Sequence, residues 1–296
     1  MSSLDNQSKM AASDVVKALL AAVCAPDTFA AAATALVACL LPLAVPQHLR
    51  RAPTIAHEGW DFPAAMLNNK YVPSDEQIVP ASELMAFLVI VPAAVIAVLA
   101  CFDAPKTRSA VAAARLQSLL YAFATTSLVV DCVKRYCGYW RPYFYDECDY
   151  DAATGRCGDT PDDAMRSFPS GHSALSMVVM LHSSYCLLGA ARLGRPLRVG
   201  AVDVGPLAAL ACLAPTFTAL WIAASRVVDN DHWPADVTAG ATIGAAFASL
   251  WYARYFPSVF DDAAHLPRPG FLPEARANGD APPYGDDGVA ASAMLT

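Results

Sequence analysis

The chain has 296 residues, of which 56% are hydrophobic and only 16% are charged, and its formal net charge is −7. Soluble domains carry about 25% charged residues, so this composition argues against a soluble protein. The acidic balance is spread along the chain without a basic block, which excludes nucleic acid as a partner.

Six apolar runs are long enough to cross a bilayer as a helix, which takes about 20 residues. Five runs contain no charged residue, and the third contains Arg115, which lies close enough to one end to reach the interface. Pro215 interrupts the fifth run. A soluble bundle with apolar core helices is the alternative, but six separate runs favour an all-α, polytopic membrane protein with six transmembrane helices. The predicted spans are Thr28–Gln47, Leu84–Phe102, Ala110–Val130, Ser173–Ala191, Pro206–Ala224 and Val237–Ala253.

These runs divide the chain into three parts. Residues 1–27 are predicted to form a cytoplasmic N-terminal segment with a short interfacial helix at Leu19–Val23, and residues 28–256 to form the six-helix membrane domain. Residues 257–296 are rich in Pro, Gly, Asp and Ala and lack apolar periodicity, so they are predicted to be a disordered cytoplasmic tail.

Lysine and arginine residues predict that both termini face the cytoplasm. In that orientation the cytoplasmic segments carry eleven of these residues and the opposite side carries nine, which follows the positive-inside rule. Most of the asymmetry comes from two short loops, one with Lys106 and Arg108 and the other with Arg192, Arg195 and Arg198.

The first polar cluster, KRYCGYWRP, follows the third predicted span. Lys134 and Arg141 are separated by six residues, and Pro142 comes next. Taken alone, such a basic helix end suits anchoring to lipid headgroups as well as it suits an active site.

The second cluster, FPSGHSA, directly precedes the fourth predicted span. Ser170 is a favoured N-cap residue, Gly171 leaves the backbone open to close approach, and His172 follows. The free N–H groups and positive dipole of a helix N-terminus suit a phosphate. In isolation, an ordinary cap beside an incidental histidine is the simpler interpretation.

The third cluster, SRVVDNDHWPADV, lies between the last two predicted spans. Pro234 suits the first turn of a helix, so the sixth span is predicted to begin near His232 or Trp233. His232 and Asp236 are four residues apart, which brings their side chains together on one helical face. Asp236 also suits a simple role as a partner of the helix dipole.

The order of the spans brings the three clusters to one membrane face. The first cluster ends one span and the second begins the next, while the 52 residues between His172 and Ser225 fit two crossings and a turn. Three fixed cations, Lys134, Arg141 and Arg226, suit a phosphate group. Two histidines supply a nucleophile and a general acid, and no acidic cluster is present to hold Mg²⁺. We therefore expect phosphoryl transfer without a metal or other cofactor.

The three clusters resemble the signature of the type 2 phosphatidic acid phosphatase (PAP2) superfamily, which includes the lipid phosphate phosphatases. The matching residues are Lys134-x6-Arg141-Pro142, Pro169-Ser170-Gly171-His172 and Ser225-Arg226-x5-His232-x3-Asp236. The loop Tyr71–Pro80 also looks like the loop before the second span of lipid phosphate phosphatases, though more loosely.

The resemblance implies a role for each of these residues. His232 would be the nucleophile that forms a phosphohistidine, Asp236 would orient it, and His172 would protonate the leaving alcohol. The active site would be lumenal or extracellular. Residues implied to hold the substrate phosphate are Lys134, Arg141, Ser170, Gly171 and Arg226.

The sequence therefore predicts a Mg²⁺-independent lipid phosphate phosphatase in a multi-pass membrane protein. Its partners would be the bilayer and a lipid phosphate such as phosphatidate, lysophosphatidate, diacylglycerol pyrophosphate or a sphingoid phosphate. Polyprenyl diphosphate and sugar-phosphate phosphatases share the motifs and stay open as alternatives, as does a catalytically silent membrane scaffold. Vanadium haloperoxidases also share them, but those enzymes are soluble.

The nine cysteines show neither a CxxC pair nor a Cys/His spacing typical of a metal site. Cys148 and Cys157 lie in the loop between the first two polar clusters. If that loop faces an oxidising compartment, these two cysteines are expected to be able to bridge, with Cys137 as a nearby alternative partner.

Overall fold

The computed structural model of the chain describes residues 2–44, 46, 67, 69–151, 156–158 and 162–272, and it is mostly helical. The helices are α1 (Ser2–Val23), α2 (Pro26–Leu40), α3 (Ala81–Phe102), α4 (Arg108–Cys137), α5 (Phe144–Glu147), α6 (Gly171–Ala191), α7 (Gly205–Cys212), α8 (Ala214–Val228) and α9 (Pro234–Tyr255). Short 3₁₀ turns cover Leu41–Ala44, Asp162–Met165 and Pro269–Phe271. Two antiparallel hairpins pair β1 (Tyr150–Asp151) with β2 (Arg156–Cys157), and β3 (Arg198–Val199) with β4 (Val202–Asp203).

Four or five membrane spans fit the described helices, rather than the six predicted. Four segments are long and apolar enough to cross a bilayer alone: Pro26–Ala44, Ala81–Phe102, Arg108–Cys137 and Gly171–Ala191. Helices α7 and α8 meet these criteria only as a pair bent by 43° at Leu213, two residues before the Pro215 that was expected to interrupt this run.

The sixth predicted run does form a helix, α9, but this helix is not among the candidate spans. It is built largely of Gly, Ala and Thr, because it packs closely against α6. A Cβ atom on Gly240 would lie 2.4 Å from the Ser170 carbonyl oxygen, and one on Gly244 would lie 2.3 Å from that of Ala174. These two glycines therefore bring the beginning of α9 against the beginning of α6.

Helix α6 lies at the centre of the fold, between α3, α4, α8 and α9. The largest apolar cluster joins these helices through small and branched side chains, and it holds α6 in a fixed position. Its fully or nearly buried members are Val79, Leu84, Leu88, Leu119, Ala122, Val178, Val179, Ile222 and Ala248.

Arg115 is buried inside the bundle, and its partner lies just past the end of a predicted span. Its guanidinium makes two parallel contacts with the Asp103 carboxylate, at 2.6 and 3.1 Å. Only 2% of the Arg115 side chain is exposed. Asp103 lies just after α3, where it neutralises the charge and removes the need for contact with water.

The N-terminal segment forms a longer helix than the predicted Leu19–Val23. Helix α1 covers Ser2–Val23, and its Ala22 packs on Ala112 and Ala113 of α4. The first predicted span continues from α2 into the 3₁₀ turn Leu41–Ala44, but its residues 45 and 47 lie outside the described part of the chain.

The predicted disordered tail begins with residues that pack on the end of α9. The Arg268 side chain donates to the Ala253 carbonyl at 3.0 Å, and the Phe271 ring stacks on Tyr255 with centroids 4.1 Å apart. Asp262 pairs with Arg195, a contact that joins this segment to the loop after α6. Residues 273–296 of the predicted tail lie outside the described residues.

A disulfide closes the loop between α4 and α6. It joins Cys148, which follows α5, to Cys157 of strand β2, as the sequence allowed. Cys137 is not part of this bond.

Candidate active site

A cavity of about 410 Å³ lies where the end of α4, the beginning of α6 and the turn between α8 and α9 meet. Five of the predicted site residues line it together, so the expected convergence of the three clusters is observed. Ser170, Arg226 and Asp236 are fully buried beside residues that line it. The predicted residues on the wall are Lys134, Arg141, Gly171, His172 and His232.

The beginning of α6 has the predicted capping geometry. The Ser170 hydroxyl accepts a hydrogen bond from the backbone N–H of Ser173 at 3.3 Å, and α6 begins at Gly171. The Ser170 N–H donates to the Asp236 carbonyl at 3.0 Å, which ties the beginning of α6 to α9. A Cβ atom on Gly171 would lie 3.5 Å from Lys134 Cε, so the glycine keeps side-chain atoms away from this lysine.

His172 presents its ring to the cavity. Its Nε2 atom is buried and has no hydrogen-bond partner among the described residues. This nitrogen is therefore available to a group bound in the cavity.

His232 lies in the turn before α9, because α9 begins at Pro234 as predicted. Its Nδ1 atom faces α9, 3.7 Å from the Asp236 carboxylate and 3.4 Å from the Ser167 hydroxyl. The Nε2 atom of His232 consequently points away from Asp236 and Ser167. Burial, together with the nearby Arg141 and other cationic groups, lowers the pKa of His232 well below its usual value. The ring is therefore neutral at neutral pH, and it carries an unprotonated nitrogen.

Asp236 combines the two roles that its position suggested. Its Oδ2 atom accepts from the Trp233 backbone N–H at 3.1 Å, which caps α9, and it also accepts from the Ser167 hydroxyl at 2.5 Å. The same oxygen lies nearest to His232. Ser167 was not predicted, because it lies outside the three motif patterns and is only brought here by the folding of the loop before α6.

Arg141 is held between two aspartates. Its Nε and Nη2 atoms donate to the carbonyl and carboxylate of Asp163, at 3.0 and 2.7 Å, and Nη1 donates to the Asp231 carboxylate. Burial opposes its charge, but Asp231 and Asp163 outweigh burial and raise the pKa of Arg141 above its usual value. Arg141 is thus a permanent cation in the cavity wall.

Arg226 is oriented by the loop that precedes α3. Its Nη1 atom donates to Gln77 at 2.9 Å, and Nη2 donates to Asp229 at 2.8 Å. Asp229 also accepts from the backbone N–H of Ile78 at 3.1 Å. The Tyr71–Pro80 loop resembled a family loop only loosely in sequence. Through Gln77 and Ile78 it holds the side chains of Arg226 and its partner Asp229 in place.

Lys134 is a further cation on the cavity wall, which Arg135 and Arg166 also line. Its ammonium group donates to the Arg166 carbonyl at 2.6 Å. No group of three or more His, Cys, Asp or Glu side chains able to hold a metal ion occurs in the part of the chain that the structure describes. Cations and a helix N-terminus around a cavity suit a bound anion, and a neutral imidazole beside it is a nucleophile.

Comparison with known proteins places this geometry in context. Residues 115–260, about half of the chain, match the model of the PAP2 superfamily. The chain is 34% identical over 164 residues to a PA-phosphatase related-family protein of Dictyostelium discoideum, which covers 54% of this chain and 56% of that protein. It is 28% identical over 210 residues to lipid phosphate phosphatase 1 of Arabidopsis thaliana, covering 67% and 61%.

A further relative is diacylglycerol pyrophosphate phosphatase 1 of Saccharomyces cerevisiae, which is 28% identical over 166 residues, covering 51% of this chain and 55% of that protein. The matches thus span between 55% and 61% of the length of these three relatives. No solved structure matches the chain significantly.

Proposed function

We propose that this chain, whose residues 115–260 belong to the PAP2 superfamily, is a Mg²⁺-independent lipid phosphate phosphatase. The observation that carries the proposal is the cavity itself, in which His172 and His232 share a wall with Lys134 and Arg141. The names of its relatives, among them lipid phosphate phosphatase 1 and diacylglycerol pyrophosphate phosphatase 1, support the same reaction.

The proposed reaction has two steps through a phosphohistidine. His232 Nε2 attacks phosphorus and the P–O bond to the alcohol breaks, while His172, which holds a proton once the anionic phosphate is bound beside it, gives that proton to the leaving oxygen. Water then attacks the phosphorus of phosphohistidine, the P–N bond breaks, and His172 takes the proton from that water. The Asp236 carboxylate, 3.7 Å from His232 Nδ1, favours the tautomer that carries its proton on Nδ1, so Nε2 keeps its lone pair.

Cationic side chains take the place of a metal in this proposal. Lys134, Arg141 and Arg226 would stabilise the charge on the phosphoryl oxygens, with N–H groups at the beginning of α6, from Gly171 onward, contributing hydrogen bonds. The Ser170 N–H is already bonded to the Asp236 carbonyl, so Ser170 would act through its position at the cap. Fixed cations that face the developing charge need no reorganisation during the reaction. This preorganisation accounts for most of the rate enhancement in many such sites.

The apolar side of the cavity supports a lipid substrate. Pro42 and Leu43 from the turn after α2, Leu84 of α3 and Leu175 of α6 also line the cavity. Leu43 is 65% exposed on a surface that faces the bilayer if α2 spans it. A phosphate held by the cations would therefore have its alkyl chains beside lipid. We propose phosphatidate, lysophosphatidate, diacylglycerol pyrophosphate and sphingoid phosphates as substrates.

The test of this function is phosphate release by the purified chain from a panel of lipid phosphates in detergent micelles, with EDTA present. We expect release to continue at an unchanged rate under chelation, because the cations of the site are side chains. A preference for polyprenyl diphosphate or for a water-soluble sugar phosphate would replace the proposed substrate class. Loss of release with EDTA and recovery with Mg²⁺ would contradict the proposed chemistry.

We further propose that the cavity and its disulfide loop face the lumen or the outside, with the termini in the cytoplasm. Disulfides persist in oxidising compartments, and the Cys148–Cys157 bond lies in the loop that leads into the cavity. In intact cells, an impermeant thiol reagent is expected to label the half-buried Cys157 only after reduction. A Cys148→Ser, Cys157→Ser chain serves as the matched control and should show no increase. An increase that requires permeabilised cells would reverse the orientation.

A further inference from the structure

An aspartate that the three motifs leave unassigned, Asp231, lies next to Arg141, Arg226 and His232. The Asp231 carboxylate accepts through Oδ1 from Arg141 Nη1. Its Oδ2 atom lies 3.8 Å from Arg226 Nη1 and 3.6 Å from His232 Nε2. Asp231 is only 4% exposed, so these three contacts replace water around the carboxylate.

Two of these partners are the arginines that would hold the substrate phosphate, and the third is the nucleophilic nitrogen. A near-attack arrangement places reacting atoms about 3–3.5 Å apart. The Asp231 oxygen, 3.6 Å from His232 Nε2, therefore lies about where a phosphoryl group would have to lie. A carboxylate and a phosphoryl group both present negatively charged oxygens to arginine, so the two compete for one place.

We propose that Asp231 is a resident anion that occupies the phosphoryl position of the free enzyme and sets its affinity for phosphate. This inference rests on the proposed function of the site. The incoming phosphate displaces the carboxylate from Arg141 and Arg226. The carboxylate returns when inorganic phosphate leaves, so a cavity rich in cations does not retain its product. In this role Asp231 lowers affinity and speeds release.

The neighbouring aspartates differ from Asp231 in the partners they contact. Asp163 pairs with Arg141 on the outer side, and 64% of its side chain is exposed. Asp229 pairs with Arg226 and with the backbone of Ile78. Among the ion pairs of the described residues, Asp231 alone contacts both arginines and His232. Asp163 is consequently a matched control, because it shares Arg141 without reaching the nucleophile.

The test compares Asp231→Asn with Asp163→Asn and with Asp231→Glu, which keeps the charge. Asp163 still neutralises Arg141 in the Asp231→Asn chain, so that arginine is not left as an uncompensated buried charge. The first measurement is the dissociation constant of inorganic phosphate by calorimetry, which needs no turnover. Asp231→Asn is expected to bind phosphate about tenfold or more tightly than the unaltered chain, because a like charge at the site is removed. The Asp163 carboxylate is solvated, so Asp163→Asn should change the dissociation constant of phosphate much less. Asp231→Glu keeps the charge and should not tighten phosphate binding.

The second measurement is phosphate release from a lipid phosphate by the same four proteins. Asp231→Asn should show a lower KM and stronger inhibition by added phosphate. Unchanged or weaker phosphate binding in a folded Asp231→Asn chain, verified by its melting temperature, would overturn the role of Asp231. Equal tightening of phosphate binding in Asp163→Asn would also overturn this role, since the effect would then come from the loss of any nearby negative charge. If the unaltered chain released no phosphate from any lipid, the proposed function would be contradicted. The calorimetric dissociation constants would still test whether Asp231 competes with phosphate.

Discussion

His232→Ala is expected to lower phosphate release from every lipid phosphate by about 10⁴-fold or more, because removal of a covalent nucleophile removes both steps of the reaction. The substitution creates a small space in the turn before α9 and leaves the ion pairs of Arg141 and Arg226 in place. Phosphate binding should therefore survive while turnover does not. The measurement is kcat and KM on phosphatidate, with the melting temperature as a check on folding.

His265→Ala is the matched control for that loss. His265 is a partly buried histidine beside Arg192, at the opposite end of α6 from the cavity. Its removal should leave kcat close to that of the unaltered chain. A His232→Ala chain that kept more than about a hundredth of the rate would show that another group attacks phosphorus.

His172→Ala is expected to separate substrates by their leaving groups. A positioned general acid contributes about 10²–10⁴-fold when the leaving group needs a proton. An alkyl phosphate such as phosphatidate should lose that factor. An aryl phosphate with an acidic phenol departs without protonation, so its phosphorylation of His232 should be nearly unaffected. The measurement is the single-turnover rate on both substrates in the two proteins.

Equal losses on the alkyl and aryl substrates would contradict the assignment of His172 as the acid. The unpartnered Nε2 atom of His172 in the cavity is the structural reason to expect the difference. Asn at this position, similar in size but unable to donate a titrating proton, provides a second variant if Ala disturbs the beginning of α6.

Local signals in the sequence were enough to predict the ends of the helices that hold the site. Ser170 caps α6 and Pro234 begins α9, and both effects depend only on neighbouring backbone groups. The convergence of the three motif clusters also followed from the sequence, since chain order and span length determine which helix ends share a face. Lys134, Arg141, His172 and His232 were consequently predicted to be neighbours.

Features that depend on long-range contacts were not predicted. The apolar runs suggested six spans, but α9 has glycines where it packs against α6, and this helix is not among the candidate spans. The ion pair of Arg115 was not predicted, because its partner Asp103 lies in a different segment. Gln77 and Ser167 reach the site through loops, and no periodicity or cap marks such positions.

Asp231 illustrates the same limit inside a recognised motif. It lies beside His232 in the sequence, and the motif pattern leaves its position undefined. Its contacts with Arg141 and Arg226, which the sequence does not show, are the basis for the proposal that it competes for the phosphate position.

The most direct test of the proposed mechanism is to trap the phosphoenzyme. The unaltered chain and the His232→Ala chain would be mixed with a lipid phosphate carrying a labelled phosphoryl group and quenched in alkali, where phosphohistidine persists. We expect label on the unaltered chain that is stable in alkali, lost in acid and located at His232 by peptide mapping, and no label on the His232→Ala chain. Label that survives acid, or that remains on the His232→Ala chain, would contradict the proposed mechanism.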